Sequence, residues 1–276
     1  MATIAQCLSR SVELGGADAR RETEVLLCHV LQRDRTYLFT WPDKELSPAQ
    51  LTSFGELLAA RRTGQPVAYL TGRRDFWSLP LGVTAATLIP RPETETLVEW
   101  ALALALPGAA RVVDLGTGSG AIALALAHER PQWQLLATDV SDAALTVARR
   151  NAGALSLDRV RFAQGSWFEP LSGSFDLIVS NPPYVAEGDR HLREGDVRFE
   201  PSIALTAPDQ GLADLRQLID HAPAYLQPGG WLLLEHGFDQ GSQVRGLMRE
   251  AGYGQVQTRC DLAGLERISG GCLDAG

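Results

Sequence analysis

Apolar positions along this chain recur at two different spacings, and the change from one to the other divides it. Over roughly the first sixty residues they fall three and four apart, as in Val25, Leu26 and Val30 with Leu27 and Leu31. That spacing predicts amphipathic helices over Ala2–Leu14, Ala17–Leu31 and Ser47–Arg62. Asp18 is placed to cap the second helix, and Ser47 is followed by Pro48 at the first helical position of the third. "TGQPVAYLTG" closes the helical region with turn signals, and "DFWSLPLGVTAATLIPRP" has the β-branched and aromatic content of a short hairpin.

From Glu93 the pattern alternates between helical stretches and short continuous apolar runs. Helix Glu93–Leu106 precedes strand "RVVDLG", helix Ala121–Arg130, strand "QLLATDV", helix Asp142–Asn151, and strands "VRFAQG" and "FDLIVSN". Helix Leu212–Leu226, strand "WLLLEHG", helix Gln240–Ala251 and two last strands, Gln255–Arg259 and Glu266–Ser269, complete the series. Strands apolar at every position are buried on both faces, which predicts an α/β fold with a doubly wound, mostly parallel sheet. The expected organisation is a small helical domain over 1–74, a hairpin linker over 75–90 and an α/β domain over 91–276.

Charge sharpens this division. The 276 residues carry a net charge of −8, and almost all of it lies in the α/β part: residues 1–88 are near neutral at +1, residues 89–276 stand at −9. No basic run exceeds two residues, so no nucleic-acid footprint is expected. The four cysteines form no CxxC pair, which speaks against a disulfide framework or a metal site. "WALALALPGAARVVDLG" is broken by Pro107, Gly108 and Arg111 and is too polar to span a membrane. A soluble cytoplasmic protein is the expectation.

Chemistry is first visible at "VVDLGTGSGAIALALA", a strand, a glycine-rich turn and a helix. Gly116, Gly118 and Gly120 form GxGxG rather than the GxGxxG of dinucleotide binding. Asp139 ends the next strand, where an acid can accept from both hydroxyls of a ribose; the alternative is a cap on the helix that follows. Trp167 or Phe168, in "GSWFEP" after the third strand, can pack on a purine; the alternative is ordinary core packing. Glycines and carboxylates without a phosphate-binding lysine fit S-adenosylmethionine, with Asp114 near its ammonium. A nicotinamide cofactor would instead need its pyrophosphate held at the helix start.

The second chemical feature is "FDLIVSNPPYV", a core strand leaving through two prolines. Asn181 and Pro182 each precede a proline and are pushed to extended backbone, while the rings of Pro182 and Pro183 fix their own φ. The corner can therefore hold the Asn181 side-chain oxygen and the Pro182 carbonyl in set directions. Two fixed acceptors suit a planar NH2 group, and Tyr184 can pack against its plane. A carboxamide nitrogen is a poor nucleophile, because its lone pair is delocalised strongly enough to set a rotation barrier of roughly 18–20 kcal/mol. Acceptors on both N–H bonds would orient that nitrogen and stabilise the charge growing on it.

At these residues the chain resembles the class I S-adenosylmethionine methyltransferases that carry (N/D/S)PP(Y/F/W), and more narrowly the HemK-type glutamine methyltransferases. The likeness runs through "GQPVAYLTGRRDFW", "LIPRPETETLVE", "DLGTGSGAIALALA", "SNPPYV", "GDVRFEP" and "EHGFDQG", in order over nearly the whole chain. It implies a seven-stranded Rossmann-like sheet and an N-terminal domain that docks peptide chain release factors. It implies cofactor contacts at Gly116, Thr117, Gly118, Ser119, Gly120, Asp139, Trp167 and Asn181. The substrate, the glutamine of the release-factor GGQ motif, would be held by Asn181, Pro182, Pro183 and Tyr184. Asn181, Pro182 and Tyr184 would be the catalytic residues, with no metal. Arg91, Glu93, Glu95, Arg198 and Glu200 are expected near the site or as scaffolding of the loop above it. A glutamine of a ribosomal protein, the amino group of adenine, or a non-catalytic docking module are the competing readings.

Overall fold

Capping chemistry decides where the first helices begin. The computed structural model describes residues 2–274. Helix α1 (Ile4–Ser9) starts on Thr3, whose hydroxyl accepts from Gln6 N–H while the Gln6 side chain accepts from Thr3 N–H. Helix α4 (Pro48–Arg62) repeats this capping box with Ser47 and Gln50 and carries Pro48 in its first turn. Asp18 does precede helix α2 (Ala19–Leu31), but its backbone is already helical and its side chain caps nothing. The expected Ala2–Leu14 helix tightens into a 3₁₀ turn at Arg10–Glu13. Helices α3 (Arg35–Thr40) and α5 (Val67–Thr71) were not expected, being too short to show a helical period. Asp34 caps the first through Tyr37 N–H at 2.8 Å, and Gly72, at φ +67°, ends the second.

The chain divides into two compact units, Met1–Arg73 with Arg193–Phe199, and Arg74–Leu192 with Glu200–Gly276. The helical unit has its own core, in which Ile4, Leu26, Leu27, Leu38, Phe54 and Leu58 are buried. It includes a short segment from far along the sequence: Asp196 pairs with Arg61 at 2.8 Å, and Arg198 donates to the Thr63 carbonyl.

The second unit is built on a seven-stranded sheet. Its strands are β1 (Arg111–Leu115), β2 (Gln134–Asp139), β3 (Arg161–Gln164), β4 (Phe175–Ser180), β5 (Leu226–Glu235), β6 (Tyr253–Cys260) and β7 (Glu266–Leu273). They lie in the order β6-β7-β5-β4-β1-β2-β3, parallel except for β7, which runs against both neighbours. Successive residues of a strand feed opposite cores. Val112, Leu177, Val179 and Leu233 join Trp100 and the helix α7 (Ala121–Glu129) alanines on one face. Val113, Ile178, Leu232 and Leu234 join Leu215, Leu218 and Met248 on the other. Helices α6 (Glu95–Ala103) and α7 cover the first face; α9 (Ala213–His221) and α10 (Gly241–Glu250) cover the second. Helix α8 (Asp142–Ala154) follows β2 and packs on the sheet edge near β3. A hairpin of Arg73–Phe76 and Leu79–Gly82 precedes all this and sends Phe76, Leu79 and Leu81 into the first core. The order of β4, β1 and β2 brings their carboxyl ends together, where parallel sheets bind ligands.

Candidate functional site

The turn after β1 is shaped by backbone conformations that few side chains tolerate. Gly116, Gly118 and Gly120 have φ of +71°, +56° and +86°. Gly118 N–H donates to Asp139 Oδ2 at 2.9 Å, and Asp139 Oδ1 accepts from Ser141 N–H at the same distance. Asp139 therefore ties two turns together and is not the helix cap; that role falls to Ser141, which accepts from Ala144 N–H. Thr117 N–H donates to the Thr138 carbonyl, which fastens the turn to the end of β2. Asp114 lies fully buried behind the turn, accepting from the Thr117 hydroxyl at 2.6 Å and from Ala123 N–H at 3.2 Å. Its Oδ1 has no partner, and burial outweighs both hydrogen bonds to push its carboxyl up to about 7.

The corner after β4 is held by partners from four other places in the sequence. Ser180 donates to the Leu115 carbonyl at 2.7 Å, fixing the end of β4 to the end of β1. Asn181 Nδ2 donates to Thr94 Oγ1 at 3.2 Å, and its Oδ1 makes no hydrogen bond among the described residues. The carboxamide thus turns its acceptor to the adjoining cavity. The Tyr184 hydroxyl donates to Glu235 Oε1 at 3.1 Å, and burial first, then the charge of Glu235, raises its phenol well above the usual tyrosine range. The Tyr184 carbonyl accepts from Gln240 Nε2 at 3.1 Å and abuts Gly211, where a Cβ would stand 2.1 Å from it.

Turn and corner face one cavity of about 340 Å³. Gly116, Thr117, Gly118, Ser119, Asp139, Trp167, Asn181 and Pro183 line it. Gly120, Pro182 and Tyr184 do not. Gly120 instead packs against Leu124 and Ala148, so close that a Cβ would meet them at 3.0 and 3.3 Å. Pro182 is buried, and Tyr184 joins the second core. Of the two aromatic candidates, Trp167 reaches the cavity and lies over Gly116, while Phe168 stacks on Tyr225 inside the core, at 5.0 Å between ring centres. Ala86, Leu88, Ile122 and Val140 add apolar wall, and Arg91 is the one cation among the described lining residues. A nucleoside without phosphates fits this wall, because it offers two carboxylates, Asp139 and Asp214, and no cradle of lysines or arginines.

Residues 4–72 match the PrmC N-terminal domain family, and residues 94–196 match the methyltransferase small domain family. A release factor glutamine methyltransferase of Aliivibrio fischeri is 50% identical over 273 residues, covering 97% of this chain and 96% of the relative. One from Xylella fastidiosa is 56% identical over 254 residues, covering 91% and 92%. This chain belongs to the release factor glutamine methyltransferase family. A methyltransferase structure from Pyrococcus furiosus is similar in fold, with a TM-score of 0.54 at 20% identity over 71% of this chain and 89% of that one.

Family membership puts the less obvious residues of this methyltransferase in perspective. Glu200 is buried and accepts from Ile89 N–H at 2.9 Å and from the Arg91 guanidinium, so it braces the loop that presents Arg91. Glu95 accepts from Trp77 N–H at 2.9 Å and steadies the hairpin instead of lining the cavity. Glu93 is half-buried and also outside the lining, and Arg198 belongs to the helical unit. Sequence reasoning missed Thr94, Asp214, Glu235 and Asn151. Asp214 lines the cavity together with Trp167, and burial raises its carboxyl above the usual range. Buried Asn151 clamps the hairpin to the glycine turn, accepting from Gly82 N–H and donating to the Gly82 and Ser119 carbonyls at 2.8–3.0 Å. A buried Asn inside a helix was the one signal that could have found it. Nothing in the sequence pairs Thr94 with Asn181 across 87 positions.

Proposed function

We propose that the protein transfers a methyl group from S-adenosylmethionine to the side-chain amide nitrogen of the glutamine in the GGQ motif of peptide chain release factors. The observation that carries this reading is the Asn181 carboxamide, pinned by Thr94 so that its oxygen is left to a cavity that also holds the glycine turn. Family membership narrows the acceptor to a release-factor glutamine.

The cofactor, when bound, supplies an electrophilic methyl on a sulfonium. Gly116 through Ser119 and Asp139 would hold its nucleoside and methionine parts, with free lone pairs of Asp139 for the ribose hydroxyls and the Trp167 face for the purine. Asn181 Oδ1 would accept one N–H of the substrate amide, and the carbonyl of Pro182, a residue outside the cavity lining, would have to be reached at the corner for the other. Two acceptors on one NH2 orient the nitrogen and stabilise the positive charge that develops as its lone pair leaves conjugation. The proton is lost after transfer, so no strong base is required at the corner. The helical unit would dock the release factor, and the cytoplasm, where translation ends, is the site of action. Among the described residues no helix is long and apolar enough to cross a membrane.

The test is transfer of labelled methyl to a purified release factor. Incorporation is expected, and none is expected when GGQ is changed to GGA. Labelling of DNA but not of the release factor overturns the proposal.

A further inference from the structure

Pro182 and Pro183 have no N–H, so the middle of the corner after β4 cannot be tied down by its own backbone donors. Its position depends on what holds the two flanks. Ser180 on the Leu115 carbonyl and Asn181 on Thr94 fix the near flank. On the far flank the Tyr184 carbonyl accepts from Gln240 Nε2 at 3.1 Å, and Val185 N–H donates to the Leu205 carbonyl at 2.9 Å. Gln240 immediately precedes α10, is 7% exposed and does not line the cavity. Its Oε1 accepts from Gly237 N–H at 2.8 Å, so its NH2 must point the other way, and there it also donates to the Gln210 carbonyl at 3.2 Å. Both ends of this buried carboxamide are thus spent on main-chain atoms, which fixes its orientation.

Gln210 sits in a strained turn. Asp209, Gln210 and Gly211 have φ of +54°, +57° and +85° in succession, and non-glycine residues stay in that region only where their surroundings hold them. A Cβ on Gly211 would stand 2.1 Å from the Tyr184 carbonyl oxygen and 2.9 Å from Gln240 Nε2. Thr206 before this turn and Asp214 after it line the cavity, and Thr206–Ala207 pairs with Val185–Ala186. We infer that Gln240 is a positioning residue: by gripping Tyr184 and Gln210 with one NH2 group, it locks the corner and the wall segment 206–214 into a single piece and keeps Asn181 in place for the substrate amide. A glutamate would keep the acceptor for Gly237 but bring no hydrogen to either carbonyl, and an asparagine is one methylene shorter. The inference rests on the proposed reaction for its meaning in turnover, but the grip itself is a property of the free protein.

The first measurement is therefore made without substrate. In wild-type hydrogen exchange followed by NMR, the Gln240 side-chain NH2 and the Val185 N–H should be protected at least about tenfold over exposed groups. Exchange of the Gln240 NH2 at the rate of an exposed glutamine overturns the inference whatever the enzyme methylates, whereas absence of methyl transfer to a release factor by the wild type would overturn the proposed function alone. Gln240→Glu should speed Val185 exchange at least about tenfold while Thr117 and Gly118 N–H keep their protection. In turnover it should lower kcat by about tenfold to a hundredfold, the scale of a catalytic group displaced by about 1 Å, with the Kd for S-adenosylmethionine within about twofold. Gln240→Met should do the same, which separates the lost donors from the added charge. Gly211→Ala presses on the same carbonyl from the other side with Gln240 intact, and it decides the matter if the variants at Gln240 do not fold. Normal kcat in Gln240→Met or Gly211→Ala, or equal losses in kcat and cofactor affinity, would reduce Gln240 to a structural amide and sink the inference.

Discussion

The two strand ends that face the cavity solve the same problem in opposite ways. After β1 the chain discards side chains: three glycines take positive φ, and one neighbouring carboxylate, Asp139, holds the turn through Gly118 N–H. After β4 it stiffens the backbone with Pro182 and Pro183 and then depends on side chains from elsewhere, with Thr94 on Asn181, Glu235 on Tyr184, and Gln240 and Gly211 on the Tyr184 carbonyl. β1 and β4 pair directly, with Leu115 opposite Ser180, so the ends are neighbours. The difference follows from what each must do. Closeness of a ligand to backbone needs empty space, which glycine gives locally. Alignment of a lone pair needs fixed acceptors, and an acceptor is fixed only by what surrounds it.

Substitutions can break this contrast, and the largest effect is expected at the corner. Asn181→Ala should lower turnover by at least about a hundredfold, as loss of an oriented polar group at a charged transition state does. Cofactor binding measured by calorimetry should persist, since the turn is untouched; near-normal turnover would end the two-acceptor account. Asp139→Ala should do the reverse, weakening the cofactor Kd by roughly tenfold to a hundredfold, equivalent to about 1.5–3 kcal/mol, with kcat at saturating cofactor little changed. A fall in kcat alone would place Asp139 in the wrong half of the comparison. Asn151→Ala removes three hydrogen bonds joining hairpin and turn and should destabilise the fold by about 1–3 kcal/mol in denaturant unfolding, with activity retained in the folded fraction.

The last expected effect concerns pH. Asp114 is held at about 7 in the fold against about 4 in an open chain, so folding favours its protonated form. That contribution is fully present below pH about 4 and is lost as pH rises through about 7, with a slope of at most about 1.4 kcal/mol per pH unit. Glu235 acts in the same direction over the same window. Asp114→Asn should therefore flatten part of the fall in thermal midpoint between pH 5 and 8. An unchanged slope would show that the buried carboxyl does not titrate there.

Strand and helix order, the glycine turn and the proline corner were legible because each is local. Continuous apolar runs mark strands buried on both faces, glycine frees φ and proline fixes it wherever they stand. Capping was partly legible: Ser47 before Pro48 held, with Gln50 completing a box that only the structure showed, while Asp18 failed because its backbone entered the helix one residue early. The short helices Arg35–Thr40 and Val67–Thr71 carried too few residues to display a period.

What the sequence determined by itself is thus the α/β order, the empty turn and the stiff corner. Tertiary structure alone decided which aromatic reaches the cavity, which of the flagged acids brace and which line, and which way Asn181 faces. Those outcomes depend on groups 51 to 109 positions apart meeting across the sheet: Tyr184 with Glu235, Thr94 with Asn181 and Arg91 with Glu200. Spacing along a chain carries no record of such meetings, because strand order brings them about and the burial of polar atoms then enforces them.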